Sequence, residues 1–462
     1  MSEEMVESFR SSSACCLGLL LFCCFVPQRN TLADDWPQWL GEHRDAVWRE
    51  SGIVDSFPAG GLPVIWRSEL GGGYSGPAVA GGRVFVMDRQ AAAYDSSTAP
   101  KGNPNFVRVT LPGTERVLCL DEKTGREIWT VEYGSLYSTA FPYAIGPRCT
   151  PTVDEDRVYT LGAEGHLKCL EVNTGREIWG LDFRQSHQVK VNDWGFAAHP
   201  LIDGDRLICM VGGENSAVVA FDKFTGKELW RAGSAEDPGY CPPVIYTIGG
   251  KRQLVTWDSK DLNGINPETG AIYWRVPFPP TYGMSIGMPR IEGHRLFLMS
   301  FSRISGMVEV SMDGVSAELK WQGGTKSGVA GVLNTAWIED GHIYASGHRG
   351  EYRCVSLATG ERRWSSDQPN RNTAGQRASA WPNTFTVKHE PSGRFFLAND
   401  HGELILADLS PDGYSELSRT ALLKPTHLVG GRYLVWSHPA FANRKVYVRN
   451  DEEIVCFDLA AK

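Results

Sequence analysis

Two short patterns of apolar and polar positions take turns along most of this chain. In the first, a Pro-led apolar stretch breaks at two or three small or polar residues and resumes as an apolar run. Gly76–Val86 is one copy, and Thr150–Thr160, His199–Cys209, Met288–Leu298 and His438–Val448 repeat it. In the second, an apolar stretch meets Asp-x-x-Thr-Gly and then a polar–apolar alternation ending in Trp. Cys119–Trp129, Cys169–Trp179 and Ala220–Trp230 are strong copies, and Ile265–Trp274 and Val355–Trp364 weaker ones. Period-two alternation around a Gly-bearing break predicts an antiparallel hairpin. Asp121 is placed to accept from backbone N–H groups two residues on, and Gly125 to supply a positive φ. A Pro leading a strand is tolerated because that residue need not donate to the ladder.

Two hairpins in succession make a four-stranded antiparallel sheet, and recurrence every 40 to 60 residues marks a repeat architecture. The predicted fold is all-β, a β-propeller of such sheets arranged radially. Blades centre on residues 75–130, 147–180, 197–231, 240–275, 286–321, 334–364, 382–418 and 436–459, so eight are expected. The last has three strands of its own. Leu62–Arg67 carries Trp66 where the other repeats carry theirs, so this N-terminal strand is predicted to close the eighth blade and remove the open edges. Trp66, Trp129, Trp179, Trp230, Trp274, Trp321 and Trp364 recur at one outer-strand position and read as structural residues packed against the neighbouring blade. Blade seven fits least well, with no Trp near Leu417.

Composition changes the picture in three places. Ala14–Val26 is an apolar run, shorter than the about 20 residues of a membrane span and suited to the core of a signal peptide. Thr31–Ala33 offers small residues for cleavage, so residues 1–33 are read as a signal peptide, with an uncleaved anchor as the alternative because acidic residues outnumber Arg10 at its start. Residues 34–462 are then one propeller domain, periplasmic or secreted, with no transmembrane span after cleavage. Net charge is −8 and no Lys/Arg run exists, which argues against nucleic acid. Cys119, Cys169, Cys354 and Cys456 fall at one repeat position. Equivalent positions in stacked sheets lie about 10 Å apart, too far for a disulfide, so they read as small core residues.

The Asp-x-x-Thr-Gly-x-x-x-Trp repeat, with its preceding Gly-x-Arg-Val-Tyr type of strand, resembles the PQQ-like β-propeller repeat over residues 36–459. Asp35–Asp45 also looks like the opening of secreted PQQ-like repeat proteins. The resemblance implies kinship with two kinds of protein: eight-bladed quinoprotein alcohol dehydrogenases, and a non-enzymatic propeller lipoprotein of the outer-membrane barrel-assembly machinery. A dehydrogenase of this kind implies PQQ, a Ca²⁺ held by carboxylates and an amide, a catalytic Asp and usually a vicinal Cys-Cys disulfide. Here the Cys-Cys pairs fall within residues 1–33, and no Ca²⁺ loop, haem-attachment motif, zinc spacing or Gly-x-Ser-x-Gly elbow occurs. The lipoprotein needs a lipid-attachment Cys after the apolar run, and none fits well.

Function is therefore sought in the long connections 131–146, 181–197, 275–286, 322–333, 365–380 and 420–435, which emerge on one face. Residues preceding or close to the innermost strands should ring the channel mouth: Tyr74, Arg148, Trp194, His199, Tyr240, Arg290, Asn334, Arg377, Trp381 and His438. Aromatic, Arg and His types are those of binding sites. His199 and His438, on blades three and eight, are expected to lie too far apart to share a metal. Whether residues 365–380 plug the channel is left open. The expectation is a monomeric binding or scaffold protein with an unidentified protein or small-molecule partner. No catalytic or metal residue and no cofactor is expected. The alternative is a PQQ- and Ca²⁺-dependent alcohol or sugar dehydrogenase.

Overall fold

The repeated turn is tied by its own side chains. The Asp121 carboxylate accepts from the Thr124 N–H at 2.9 Å and from the Thr124 hydroxyl at 2.7 Å. The main chain closes beneath it, the Gly125 N–H donating to the Asp121 carbonyl at 2.8 Å. Asp222 and Thr225 repeat the arrangement at 2.8 and 2.7 Å. Asn266 substitutes for the carboxylate in the next copy. These three turns are thus locally specified Asx-type hairpins, and Glu171 and Ser356 hold the same place in two other copies.

The structure is a computed structural model that describes residues 34–93, 100–103, 105–302, 304–324, 327–376 and 381–461. Four-stranded antiparallel sheets follow one another in chain order. Blade 1 comprises Ala78–Ala80, Arg83–Ala91, Leu111–Asp121 and Glu127–Tyr137, and the fold is an eight-bladed β-propeller, as the repeats predict. The longest α-helix among the described residues is Phe183–Ser186. Inner strands are buried on both faces between neighbouring blades. Arg157–Leu161 and Arg206–Met210 are therefore buried at every position after the first, while the outer strand Ile272–Pro277 alternates. Val64–Glu69 lies antiparallel outside Glu453–Asp458, with Trp66 opposite Cys456, and closes the eighth blade.

Seams between blades use one device repeatedly. The indole N–H of Trp66 donates to the Glu122 carbonyl of blade 1 at 2.8 Å, that of Trp129 to Val172 at 2.9 Å, and that of Trp179 to Lys223 at 3.0 Å. Trp230, Trp321 and Trp364 do the same to Pro267, Leu357 and Ser410. The Gly of the next turn lies under the rings of Trp66, Trp129, Trp179, Trp230 and Trp321. A Cβ at Gly175 would stand 2.6 Å from Trp129, so this Gly is required by space as well as by its φ of +72°. Trp274 departs: it donates to the Gln253 side chain at 2.6 Å, and Gln253 reaches the Gly314 carbonyl of blade 5 at 2.9 Å. Blade 7, which lacks the Trp, is covered from outside by the N-terminal segment. There the Phe57 N–H bonds the Ser418 hydroxyl at 2.9 Å and the Phe57 ring packs on Phe396. Cys119, Cys169, Cys354 and Cys456 sit directly across the ladder from a blade Trp. All seven cysteines among the described residues are buried and unbridged.

The channel is filled, and by a segment that the repeat does not contain. Residues 36–48 run inside the ring. Trp36 exchanges backbone hydrogen bonds with Val79 of blade 1 (2.8 and 2.9 Å), and the Pro37 carbonyl accepts from Val153 of blade 2 at 2.8 Å. The Arg44 guanidinium donates to the Pro200 and His199 carbonyls at the entry to blade 3. Asp45 accepts at its carbonyl from Arg290 of blade 5 at 3.1 Å. Val47–Trp48 adds a fifth, parallel strand to the inner edge of blade 7 against Thr384–His389. Leu40, Arg44 and Ala46 take φ of +62°, +54° and +59°, a strain of about 1 kcal/mol or more each. Burial of Trp36, Trp39 and Trp48, each at most 3% exposed, offsets it. Burial lowers the Arg44 pKa to about 10.

Candidate functional site

Above this strap, on the face where the blade connections emerge, an axial cavity of about 280 Å³ opens. That is near the lower end of the roughly 300–1,000 Å³ of ligand pockets. Its floor is Trp39, stacked on His199 (ring centroids 4.6 Å apart, planes 11° apart) and edge-on to His438 at 5.6 Å. His199 and His438 are themselves 6.1 Å apart between centroids. The separation expected from their places on different blades is therefore wrong: both side chains project to the axis, where the ring converges.

Tyr74, Arg148, Trp194, His199, Tyr240, Trp381 and His438 all line the cavity. The Tyr74 hydroxyl lies 2.8 Å from His427 Nε2, and the Arg148 guanidinium sits 4.8 Å over the Tyr74 ring. Arg148 is held in place by the Gly146 and Tyr143 carbonyls at 3.0 and 2.8 Å. Trp194 and Tyr240 meet edge to face at 6.0 Å. Trp381, at φ +49°, turns towards Phe301.

Two of the predicted mouth residues are elsewhere, and a third is beyond view. Arg290 lies below the floor, over the Trp337 ring at 5.3 Å and bonded to the strap, because it begins an inner strand rather than preceding one. Asn334 is buried and donates to the Ser346 carbonyl at 3.1 Å, tying a connection to its own blade. Arg377 lies outside the described residues.

Among the contributors that sequence reasoning missed, three groups stand out. Trp39 comes from the strap. Asn103, Asn105 and Phe106 come from the connection between the second and third strands of blade 1, where Phe106 reaches Trp194 and Tyr282 at 5.4 and 5.2 Å. The excess length between Val86 and Cys119 was the available signal. The third is an aliphatic wall that no motif marks: Pro242, Met284, Ile286, Val332 and Leu333.

The imidazoles are neutral donors and acceptors. Burial pulls His438 and His427 down to about 3, with Arg148 adding to the effect on His427. Burial, then His438 and Arg44, hold His199 well below the usual range. The Thr150 N–H donates to His199 Nδ1 at 2.9 Å, which leaves the ring proton on Nε2. Trp39 Nε1, Trp436 Nε1 and His438 Nε2 are buried without a protein partner. Burial also raises the Tyr74 pKa, so its hydroxyl stays protonated.

This lining does not fit PQQ and Ca²⁺. PQQ carries three carboxylates, whereas Arg148 is the one permanent cation among the described lining residues, and the lining holds no Asp or Glu to ligate Ca²⁺. Among the described residues no group of three or more His, Cys, Asp or Glu could hold a metal ion.

Comparison with known proteins locates the chain. A family model described as "Outer membrane protein assembly factor BamB" matches in two overlapping stretches, residues 113–366 and 214–462. No curated protein matches. Among solved structures, the quinohemoprotein alcohol dehydrogenase ADHIIG from Pseudomonas putida HK5 is similar at 13% identity and a TM-score of 0.58, covering 93% of this chain and 80% of that one. BamB from Moraxella catarrhalis is similar at 14% identity and a TM-score of 0.39, with 88% and 99% covered. Quinohemoprotein alcohol dehydrogenase from Comamonas testosteroni gives 12%, 0.43, 93% and 81%. At such identities the structural likeness shows the fold alone. With its repeats matched from residue 113 to the end, the chain belongs to the PQQ-like β-propeller family.

Proposed function

We propose that this protein is a non-catalytic binding protein of the cell envelope that captures a small ligand in the axial cavity. The observation that carries the reading is the cavity itself. Side chains from around the ring converge on one aromatic chamber, floored by the strap and holding buried N–H donors without protein partners. Unpartnered buried donors cost free energy until a ligand or water accepts from them. The envelope address rests on the apolar run Ala14–Val26 and on the family. No helix among the described residues is long and apolar enough to cross a membrane. Cleavage after Ala33 would leave the strap intact from Asp34 onwards, and N-terminal sequencing of the exported protein should begin there.

A thermal-shift screen of acids, alcohols, sugars, short peptides and PQQ with Ca²⁺ tests the reading. A ligand at 100 times its Kd stabilises by about 2.7 kcal/mol. At least one compound should raise the unfolding midpoint, and the variant with Arg148, Tyr240 and His438 replaced by Ala should lose that rise. No shift with any compound, or dye-linked turnover with PQQ and Ca²⁺, would contradict it. A second reading, docking of a protein partner on the same face, is favoured by one feature. The hairpin His427–Leu434 exposes Leu428 and Tyr433 opposite each other, 55% and 59% exposed, beside the mouth.

A further inference from the structure

The cavity wall is divided by chemistry in the order of the blades. Going round from the end of blade 7 through blades 8, 1 and 2 to the entry of blade 3, the lining carries polar groups, on His438, Tyr74, Asn105, Tyr143, Arg148 and His199, among the rings of Trp436, Phe106 and Trp194. From the entry of blade 4 to the entry of blade 6 it is Pro242, Met284, Ile286, Phe301, Val332 and Leu333, with Tyr240 where the sector begins and Tyr282 at the rim. In a ring of eight, the connection from blade 1 to blade 2, which carries Arg148, faces the connection from blade 5 to blade 6, which carries Val332 and Leu333. A single cation therefore stands opposite an aliphatic wall.

Arg148 is fixed and uncompensated. Two carbonyls and the Tyr74 face orient its guanidinium, and none of the ion pairs among the described residues includes it. A partly buried cation without a counter-ion is costly, and a guanidinium is shaped to take a carboxylate through two parallel N–H donors. The nearby orphans point the same way. An indole N–H can only donate, and Trp39 Nε1 and Trp436 Nε1 are both buried in this wall without an acceptor. Neutral His199 presents Nε2–H as a further donor. The Arg148 side thus offers a surplus of donors beside one positive charge, and Ile286, Val332 and Leu333 opposite offer nothing to a second charge.

We propose that the cavity takes a small apolar monocarboxylate. Its carboxylate lies on Arg148 and the donors beside it, and its hydrocarbon body lies against Ile286, Val332 and Leu333 with one face on Trp39. This names the ligand class of the binding reading above and rests on it. A ligand with several charges, or a fully hydroxylated one, would strand polar groups on the aliphatic wall at a cost of about 1–3 kcal/mol for each unpaired group.

The test is calorimetric titration of the purified protein with octanoate and 3-phenylpropionate, and with 1-octanol and 3-phenylpropanol as bodies of the same size without the charge. PQQ with Ca²⁺ is the multiply charged comparison. At least one acid should bind one-to-one, and at least tenfold more tightly than its alcohol, about 1.4 kcal/mol. The two acids separate a straight-chain from an aromatic body. Arg148→Met should weaken the acid at least tenfold while changing the alcohol little. Arg148→Lys should recover part of the loss, and unfolding midpoints near wild type show that the variants fold. Equal affinity for acid and alcohol, an acid affinity indifferent to Arg148→Met, binding of PQQ alone, or binding of none of these probes would each overturn the proposal. A hit of another charge type in the thermal screen would overturn this ligand class and leave the binding reading standing.

Discussion

The rim and the axis of this propeller are built on opposite principles. At the rim, one indole-to-carbonyl bond and one Thr-Gly turn recur from blade to blade: Trp66 on Glu122, Trp129 on Val172, Trp179 on Lys223. On the axis nothing repeats. A single strap touches blades 1, 2, 3, 5 and 7 through five different contacts, and the cavity above it sets one cation, Arg148, against the aliphatic Val332 and Leu333. Repetition closes a ring of equal blades. The individuality that recognition needs is gathered where all the blades meet.

If that division holds, damage at the rim should cost stability and spare binding, and damage on the axis should cost binding. The largest effect is expected at the rim. Trp129→Ala removes a ring that is 8% exposed and the bond to Val172, and should destabilise by about 3–5 kcal/mol in chemical denaturation. Gly175→Ala should follow at about 2–4 kcal/mol, because the methyl both enters the Trp129 ring and occupies a left-handed backbone. The axial counterpart is Trp39→Ala, which should weaken ligand at least tenfold, about 1.4 kcal/mol, by titration.

Acid should strike the axis first. His199, His427 and His438 all have folded-state values below the ordinary His value, the last two at about 3. The unfolded chain therefore binds more protons between about pH 6.5 and pH 3. Stability should fall as pH drops through that window and be insensitive to these groups above it. His438→Gln should flatten the acid limb of a pH–stability profile. The smallest effect is a null one: with every described cysteine unbridged, a reducing agent should leave the unfolding midpoint unchanged.

The same division explains what could be read from the sequence. Hairpins, blade count, the seven Trp positions and the closing strand Val64–Glu69 all follow from periodicity, because Asp121, Thr124 and Gly125 specify their turn locally and the pattern recurs. Residues that precede a Pro-led inner strand, such as Tyr74, Arg148 and His199, could be placed at the mouth by position within the repeat. The strap could not. Its path depends on positive φ at Leu40, Arg44 and Ala46 and on carbonyls of distant blades, neither of which leaves a period. Arg290 was misplaced because it opens an inner strand, four residues past Ile286 of the cavity wall, and so lies in the packed channel below Trp39. The closeness of His199 and His438 is a property of the axis, invisible to an argument made one blade at a time.

The most direct test of this account compares one ligand on two variants. The compound that most stabilises the wild-type protein in the thermal screen is titrated into Trp39→Ala and Trp129→Ala, each below its own unfolding range. The account predicts that Trp39→Ala loses at least tenfold in affinity while Trp129→Ala, though less stable, binds as wild type does. Equal affinities for the two variants, or a greater loss in Trp129→Ala, would contradict it.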